Sequence, residues 1–131
     1  MPGKTDRFIV TPQPVEQLVY HDLVKLKLQG RTVKKMMDSS LVPEADITVI
    51  GGTRTEVKEG PQESIVEPHT HEVSEIYVIL GDLVDEVILD GERHEVAGPA
   101  CVFIPAGMTH SICALRGSGY TLAIVRAGKY E

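Results

Sequence analysis

Residues 67–75 of this chain read EPHTHEVSE. Side chains on a β-strand point alternately to its two faces, so residues separated by an even number share a face. His69, His71 and Glu75 are two and four residues apart and are expected to share a face. If residues 70–80 form a strand, Tyr77 and Ile79 share that apolar face with them. Each of these groups costs free energy to bury without a partner, and a divalent cation removes that cost by taking their lone pairs. The alternative to metal binding is that this histidine pair is exposed, because imidazoles at a protein surface need neither a metal ion nor a hydrogen-bond partner.

A second segment carries a fourth candidate ligand. Residues 105–110 read PAGMTH and follow the apolar run CVFI at residues 101–104. Proline and glycine predict a turn that ends the first strand and directs the chain into the next one. That next strand begins at His110, and Ile112 and Ala114 share its face. The sequence therefore predicts a histidine on an apolar face, as in the first segment.

Together, the two segments resemble the two motifs of the cupins, G(X)5HXH(X)3,4E(X)6G and G(X)5PXG(X)2H(X)3N. The resemblance covers about residues 48–126. It implies four metal ligands, which fall on His69, His71, Glu75 and His110. The glycine spacings differ by one residue at Gly81 and Gly98, no glycine stands at the usual distance before the first histidine, and Ala114 replaces the final asparagine. None of these departures removes a ligand.

The implied fold is all-β, a double-stranded β-helix or jelly-roll barrel with extra N-terminal strands. The implied cofactor is one divalent transition metal per chain. Three neutral imidazoles and one carboxylate suit Zn, Fe, Mn or Ni, and the ligand set does not choose among them. Four protein ligands leave one or two positions open on a five- or six-coordinate metal, where a substrate could bind.

The rest of the sequence is punctuated like an all-β protein. Short runs of β-branched and aromatic residues, such as residues 47–50 and 76–80, are bounded by Gly, Pro or Asp. The clearest hairpin spans residues 87–96, because its central Asp-Gly pair supplies the positive φ angles of a tight turn. A second turn is expected at residues 117–119, which read GSG, followed by a closing strand over about residues 120–126.

The N-terminal part is less regular. Residues 24–28 read VKLKL and predict a half-buried strand, with which residues 32–36 could pair, whereas residues 38–46 could hold a turn or a single helical turn. We expect one domain overall, with residues 1–45 packing on the barrel or on a dimer partner and residues 46–131 forming the barrel. The extra strands could cover a sheet edge or extend a neighbour's sheet, so we expect a homodimer.

Several single residues have both a functional and a structural interpretation. Four are expected to line a pocket: Tyr77, Ile79, Met108 and Ile112. Tyr77 could orient a ligand or donate a proton, although core packing with a hydrogen-bonded tip is the simpler interpretation. His94 lies in a charged strand and is expected at the surface, and His21 is expected in a loop.

The composition limits the classes of partner. The 131 residues carry 13 basic and 19 acidic side chains, a formal charge of −6, which argues against a nucleic-acid partner. No apolar stretch is long enough for a membrane span, and the N-terminus lacks the apolar region of a signal peptide, so we expect a cytoplasmic protein. Cys101 and Cys113 both lie in strand-like runs and are expected to be buried small hydrophobes.

The cupin resemblance implies two functional alternatives, since this barrel hosts many chemistries. The first is a small metal-dependent enzyme that acts on a small organic metabolite as a dioxygenase, isomerase, decarboxylase or lyase. The second is a non-catalytic module that binds a small ligand, as in sensor cupins. The sequence shows no helix-turn-helix region, which weakens the sensor version. No catalytic residue is assigned at this point.

Overall fold

The structure is a computed structural model, and it describes residues 5–15, 32–57 and 68–130. The predicted strand over residues 24–28 and the loop residue His21 lie outside the described residues. The elements in chain order are a 3₁₀ helix at Asp6–Phe8 and seven strands: β1 Gln13–Pro14, β2 Lys34–Met37, β3 Thr48–Val57, β4 Glu75–Leu89, β5 Glu92–Ala97, β6 Ala100–Ile104 and β7 His110–Val125. Within the described ranges, no helix has the length and apolar character needed to cross a bilayer.

The strands form one antiparallel sheet in the order β1-β2-β3-β7-β4-β5, and β6 pairs with β4. The long strands β4 and β7 pair from Glu75 opposite Val125 to Leu89 opposite His110. β6 pairs with the first half of β4, and β5 pairs with its second half. The two halves of β4 therefore belong to different sides of a barrel. This arrangement confirms the predicted all-β jelly-roll fold.

The core lies inside the barrel and follows the alternation of the strands. Its buried members are Tyr77, Ile79, Leu83, Val87, Ile104, Ile112 and Ala114. Fully burying a side chain such as Ile79 or Leu83 contributes about 1.5–3 kcal/mol, which makes this cluster the main source of stability. Ile112 and Ala114 share the inward face of β7, as the sequence predicts.

The predicted hairpin is confirmed. Leu89 on β4 pairs with Glu92 on β5, and the two residues between them, Asp90 and Gly91, have φ angles of 50° and 82°. These positive angles are those that a two-residue hairpin turn requires. The predicted closing strand corresponds to the second half of β7.

The predicted turn at residues 117–119 is wrong, because β7 runs through these residues without interruption. The two glycines instead allow β4 to pass very close to β7. A Cβ atom on Gly117 would lie 1.9 Å from the carbonyl oxygen of Asp82, and one on Gly119 would lie 2.0 Å from that of Leu80. A glycine inside a strand often marks such a close approach of two backbones. The close approach of β4, and not a turn, therefore explains the two glycines.

The N-terminal part adds to the sheet of its own chain. The strand expected at residues 32–36 is observed as β2, which pairs with β3 on one side and with β1 on the other. Residues 38–46 hold a turn, in which the backbone N–H of Ser40 donates to Asp38 Oδ1 at 2.9 Å. The division into residues 1–45 and 46–131 stays a prediction.

The two cysteines differ in burial. Cys113 is 7% exposed, which confirms the predicted buried position. Cys101 is exposed, so the same prediction is wrong for it. The reason is the alternation of β6, in which Val102 and Ile104 occupy the inward positions and Cys101 points outward.

The outward side chains of β6, of the first part of β4 and of the last part of β7 form a continuous apolar surface. The strand register places them side by side across the three strands. We call this surface the outer apolar face; it comprises Ile76, Val78, Leu80, Cys101, Phe103, Tyr120, Leu122 and Ile124. Phe103 is 64% exposed and Tyr120 48% exposed. No charged residue interrupts the face, a property associated with interaction surfaces.

Candidate metal centre

Backbone hydrogen bonds bring the two motif segments together. His69 and His110 form an isolated β-bridge, in which each backbone N–H donates to the other residue's carbonyl, at 3.1 and 2.9 Å. The N–H of Gly107 donates to the carbonyl of His71 at 2.8 Å. The predicted strand over residues 70–80 begins only at Glu75, so the shared strand face is not what gathers the first three candidates. They converge because this bridge places the two segments against each other.

The four predicted ligands are all buried and lie close together. His69 and His71 are each 5% exposed, Glu75 is 2% exposed and His110 is 1% exposed. One nitrogen from each histidine lies within 4.8 Å of the others. The Glu75 oxygens lie 3.1 Å from His110 Nε2 and 3.5 Å from His71 Nε2. The carboxylate therefore faces two of the imidazoles inside the barrel.

The protonation of His110 is set by the backbone. Its Nδ1 lies 2.9 Å from the Met108 carbonyl, which can only accept, so Nδ1 carries a proton. In the neutral ring, Nε2 then holds a lone pair that faces a carboxylate oxygen of Glu75. Burial lowers the pKa of His110, but the Glu75 carboxylate and the Met108 carbonyl outweigh burial and raise that pKa above its usual value. The space between His110 Nε2 and the Glu75 carboxylate therefore favours a positive charge.

The donor set fits a metal ion. Both Glu75 oxygens and His110 Nε2 are fully buried, and each carboxylate oxygen faces an imidazole nitrogen. Ligands about 2.1 Å from one ion and at right angles to each other are roughly 3 Å apart, and the 3.1 Å contact between Glu75 and His110 matches this spacing. Nitrogen and carboxylate donors suit Zn, Fe, Mn or Ni.

Comparisons with known proteins support the fold. No family model and no curated protein matches the sequence. Among solved structures, KdgF from Halomonas sp. matches 93% of this chain and 97% of its own, at 14% identity and a TM-score of 0.60. An RmlC-like cupin from Shewanella frigidimarina matches 93% of this chain and 97% of its own, at 10% identity and a TM-score of 0.56.

A third solved structure, the polyketide cyclase RemF from Streptomyces resistomycificus, matches 95% of this chain and 79% of its own, at 20% identity and a TM-score of 0.55. The chain has a cupin fold. At these identities the likeness establishes the fold alone. Fold does not determine function, so the chemistry of this cupin barrel depends on its own residues.

A cleft of about 500 Å³ opens beside His71. Its walls come from the first motif segment, from Gly107 and from the end of the chain: Thr70, His71, Glu72, Val73, Gly107, Val125, Ala127 and Lys129. None of the four predicted pocket residues lines this cleft. Tyr77, Ile79 and Ile112 belong to the core, and Met108 packs against it. Tyr77 thus packs in the core, and its ring centroid lies 5.9 Å from that of His110.

Tyr130 reaches the centre and was not predicted from the sequence. Its hydroxyl lies 3.1 Å from His69 Nε2, and its ring centroid lies 4.9 Å from that of His71. It belongs to residues 126–130, which we call the C-terminal strap. Nothing in the sequence marks this tyrosine, because no motif spacing relates it to the histidines. By contrast, His94 is 43% exposed at its side chain, which confirms the surface prediction.

A second buried polar group lies in the part of the cupin barrel where β4 passes beyond Gly81. Arg54 Nη1 lies 3.6 Å from Asp85 Oδ1, and Thr121 donates a hydrogen bond to Asp85 Oδ2 at 2.9 Å. Arg54 is 2% exposed and Asp85 is fully buried. Burial lowers the pKa of Arg54, and the Asp85 charge opposes that shift. This pair was not predicted from the sequence, although Asp85 shares the inward face of β4 with Leu83 and Val87.

Proposed function

We propose that the protein is a metal-dependent enzyme that acts on a small organic metabolite, with its metal held by His69, His71, Glu75 and His110. One observation carries the proposal. The Glu75 carboxylate is buried against two imidazoles, with its oxygens 3.1 Å from His110 Nε2 and 3.5 Å from His71 Nε2. A purely structural barrel gains nothing from such a group, since burying an uncompensated charge is destabilising.

The residues around the centre have separable tasks. The backbone bridge between His69 and His110 fixes the two segments, and the Met108 carbonyl holds His110 in the tautomer that presents Nε2. Such an outer contact orients a metal-binding histidine and raises its basicity. The apolar core below excludes water from one side of the centre. When bound, the metal would supply Lewis-acid chemistry to a substrate oxygen.

The cleft beside His71 supports a small substrate. Its volume of about 500 Å³ lies within the range of small-molecule sites. Thr70, Glu72 and Lys129 offer polar and charged groups at its walls, so an organic acid or a hydroxylated metabolite is a suitable occupant. One structural neighbour is described as a polyketide cyclase, which supports an enzyme in a barrel of this shape.

The enzyme proposal is tested by loading the metal-free protein with Fe(II), Mn(II), Ni(II) or Co(II) and adding small organic acids, sugar derivatives and aromatic diols. We expect a saturable change in the metal's absorption spectrum with one substrate class, followed by its conversion to product. The His110→Ala variant serves as the control and should show neither. A spectral change without product would replace the enzyme by a ligand-binding cupin, and no change with any compound would overturn the proposed substrate class.

We also propose a homodimer that forms through the outer apolar face. The face meets a second copy of itself without juxtaposing like charges, which matters in a chain with a net charge of −6. We expect twice the chain mass by light scattering at micromolar concentration. Phe103→Glu should give a monomer, whereas Ile9→Glu, at a residue 79% exposed elsewhere on the surface, should not. A monomeric wild type would contradict this proposal.

A further inference from the structure

We propose that Tyr130 is a fifth ligand of the metal centre, bound through its phenol oxygen. This inference rests on the proposed metal site and deepens it. The family motifs contain no ligand from this part of the chain, so the assignment comes from the geometry of the C-terminal strap alone. It makes the centre three imidazoles, one carboxylate and one phenol oxygen.

Tyr130 lies at ligand spacing from His69. The Tyr130 hydroxyl oxygen lies 3.1 Å from His69 Nε2. The same 3.1 Å separates Glu75 Oε1 from His110 Nε2. Donors at right angles on one ion are roughly 3 Å apart when each lies about 2.1 Å from the metal. Tyr130 and His69 are therefore spaced as two neighbouring ligands are.

The contact between Tyr130 and His69 depends on the lone pair of His69 Nε2. Without metal, the tyrosine hydroxyl and this nitrogen can share a hydrogen bond. An ion bound through Nε2 would take up this lone pair and would leave the nitrogen with no proton to donate. The hydrogen bond cannot persist once the ion is bound. The phenol oxygen keeps a favourable partner at this place by binding the ion itself.

Hydrogen bonds to three other parts of the chain hold the C-terminal strap in place. The hydroxyl of Thr48 donates to the Ala127 carbonyl at 2.7 Å, and the backbone and side chain of Ser39 both donate to the Gly128 carbonyl, each at 2.8 Å. The N–H of Arg126 donates to the Ser74 carbonyl at 3.2 Å. Three of the five strap residues, 126 to 128, are thus anchored, and they hold Tyr130 beside the centre in the absence of an ion. Little conformational freedom is therefore lost when an ion binds.

The experiment uses iron, because an iron(III)–phenolate pair absorbs visible light by charge transfer. The metal-free protein is loaded with Fe(II) and then oxidised with ferricyanide, which takes one electron per iron; the phenol proton passes to solvent on coordination. We expect a visible charge-transfer band in the wild type. Tyr130→Phe should abolish the band and weaken Fe(II) binding by about tenfold or more. The spectrum and the affinity are read without any assay of activity.

Two matched variants separate the tyrosines. Tyr120→Phe alters an exposed tyrosine of the outer apolar face and should keep the band. Tyr77→Phe alters the tyrosine buried beside His110 and should also keep it. A band that survives in Tyr130→Phe, or an iron-loaded wild type with no band, would overturn the fifth ligand while leaving the four-ligand site standing. A wild type that binds no iron would overturn both.

Discussion

Replacing His69 or His110 with alanine is expected to reduce the bound metal from near one ion per chain to a small residual fraction. Each imidazole supplies one buried donor, and alanine at its place removes one bond to the ion and leaves a gap in a donor set spaced around a single ion, so the remaining groups hold the ion more weakly. The fold should survive, because the bridge between residues 69 and 110 is made by backbone groups. The core beneath the site is apolar and is not altered by either change.

The measurement is elemental analysis of untagged protein purified without chelators or added metal. His94→Ala is the matched control, since this histidine is exposed and lies outside the centre. Wild type and control should contain the same metal, and far-ultraviolet circular dichroism should show β structure in all variants. Full metal content in His69→Ala or His110→Ala would remove that residue from the ligand set.

The metal found in this measurement directs the next assays. Iron points to oxygen-uptake assays, because iron sites of this kind support oxygen chemistry. Zinc or manganese points to isomerase, decarboxylase and lyase substrates, for which Lewis-acid activation of an oxygen atom is sufficient. The same samples therefore establish the site and narrow the reaction.

The second large effect is expected at the buried pair of Arg54 and Asp85. Replacing Asp85 with alanine leaves the guanidinium buried without its counter-charge and also removes the acceptor of the Thr121 hydroxyl. Breaking a buried pair in this way costs about 3–5 kcal/mol. We expect a loss of this size in the free energy of unfolding, measured by urea denaturation followed by circular dichroism.

Two further variants define the origin of that loss. Asp82→Ala removes an exposed carboxylate from the same strand and should change stability by less than about 0.5 kcal/mol. The double variant Arg54→Met with Asp85→Leu removes both charges and should recover most of the stability. If Asp85→Ala costs less than about 1 kcal/mol, the pair behaves as an exposed ion pair would, and its burial is not decisive.

The sequence predicted the parts of this molecule that local rules determine. Strand alternation, the Asp-Gly hairpin and the position of His110 at the start of a buried strand all follow from residue type and spacing. The motif resemblance added the ligand set, whose four members do lie together. How they come together was not predicted, because the strand begins only at Glu75 and the bridge to His110 is a long-range contact.

The features that were missed depend on contacts between distant segments. The glycines at residues 117–119 have the composition of a turn, but the close passage of β4 explains them. Cys101 follows the alternation of a strand whose inward face could not be assigned from one sequence. Tyr130 and Arg54 lie outside any motif, and only the closed barrel gives them their partners.

The pairing of β4 with β7 has a consequence for the order of folding. Glu75 meets Val125, and Leu89 meets His110, so residues far apart in sequence must meet before the barrel closes. Contacts of such long range make folding slow, since the intervening chain loses its freedom before the contacts form. His69 lies shortly before β4 and His110 begins β7, so these two histidines come together only when the barrel closes. An ion bound there stabilises the closed barrel relative to every open form of the chain.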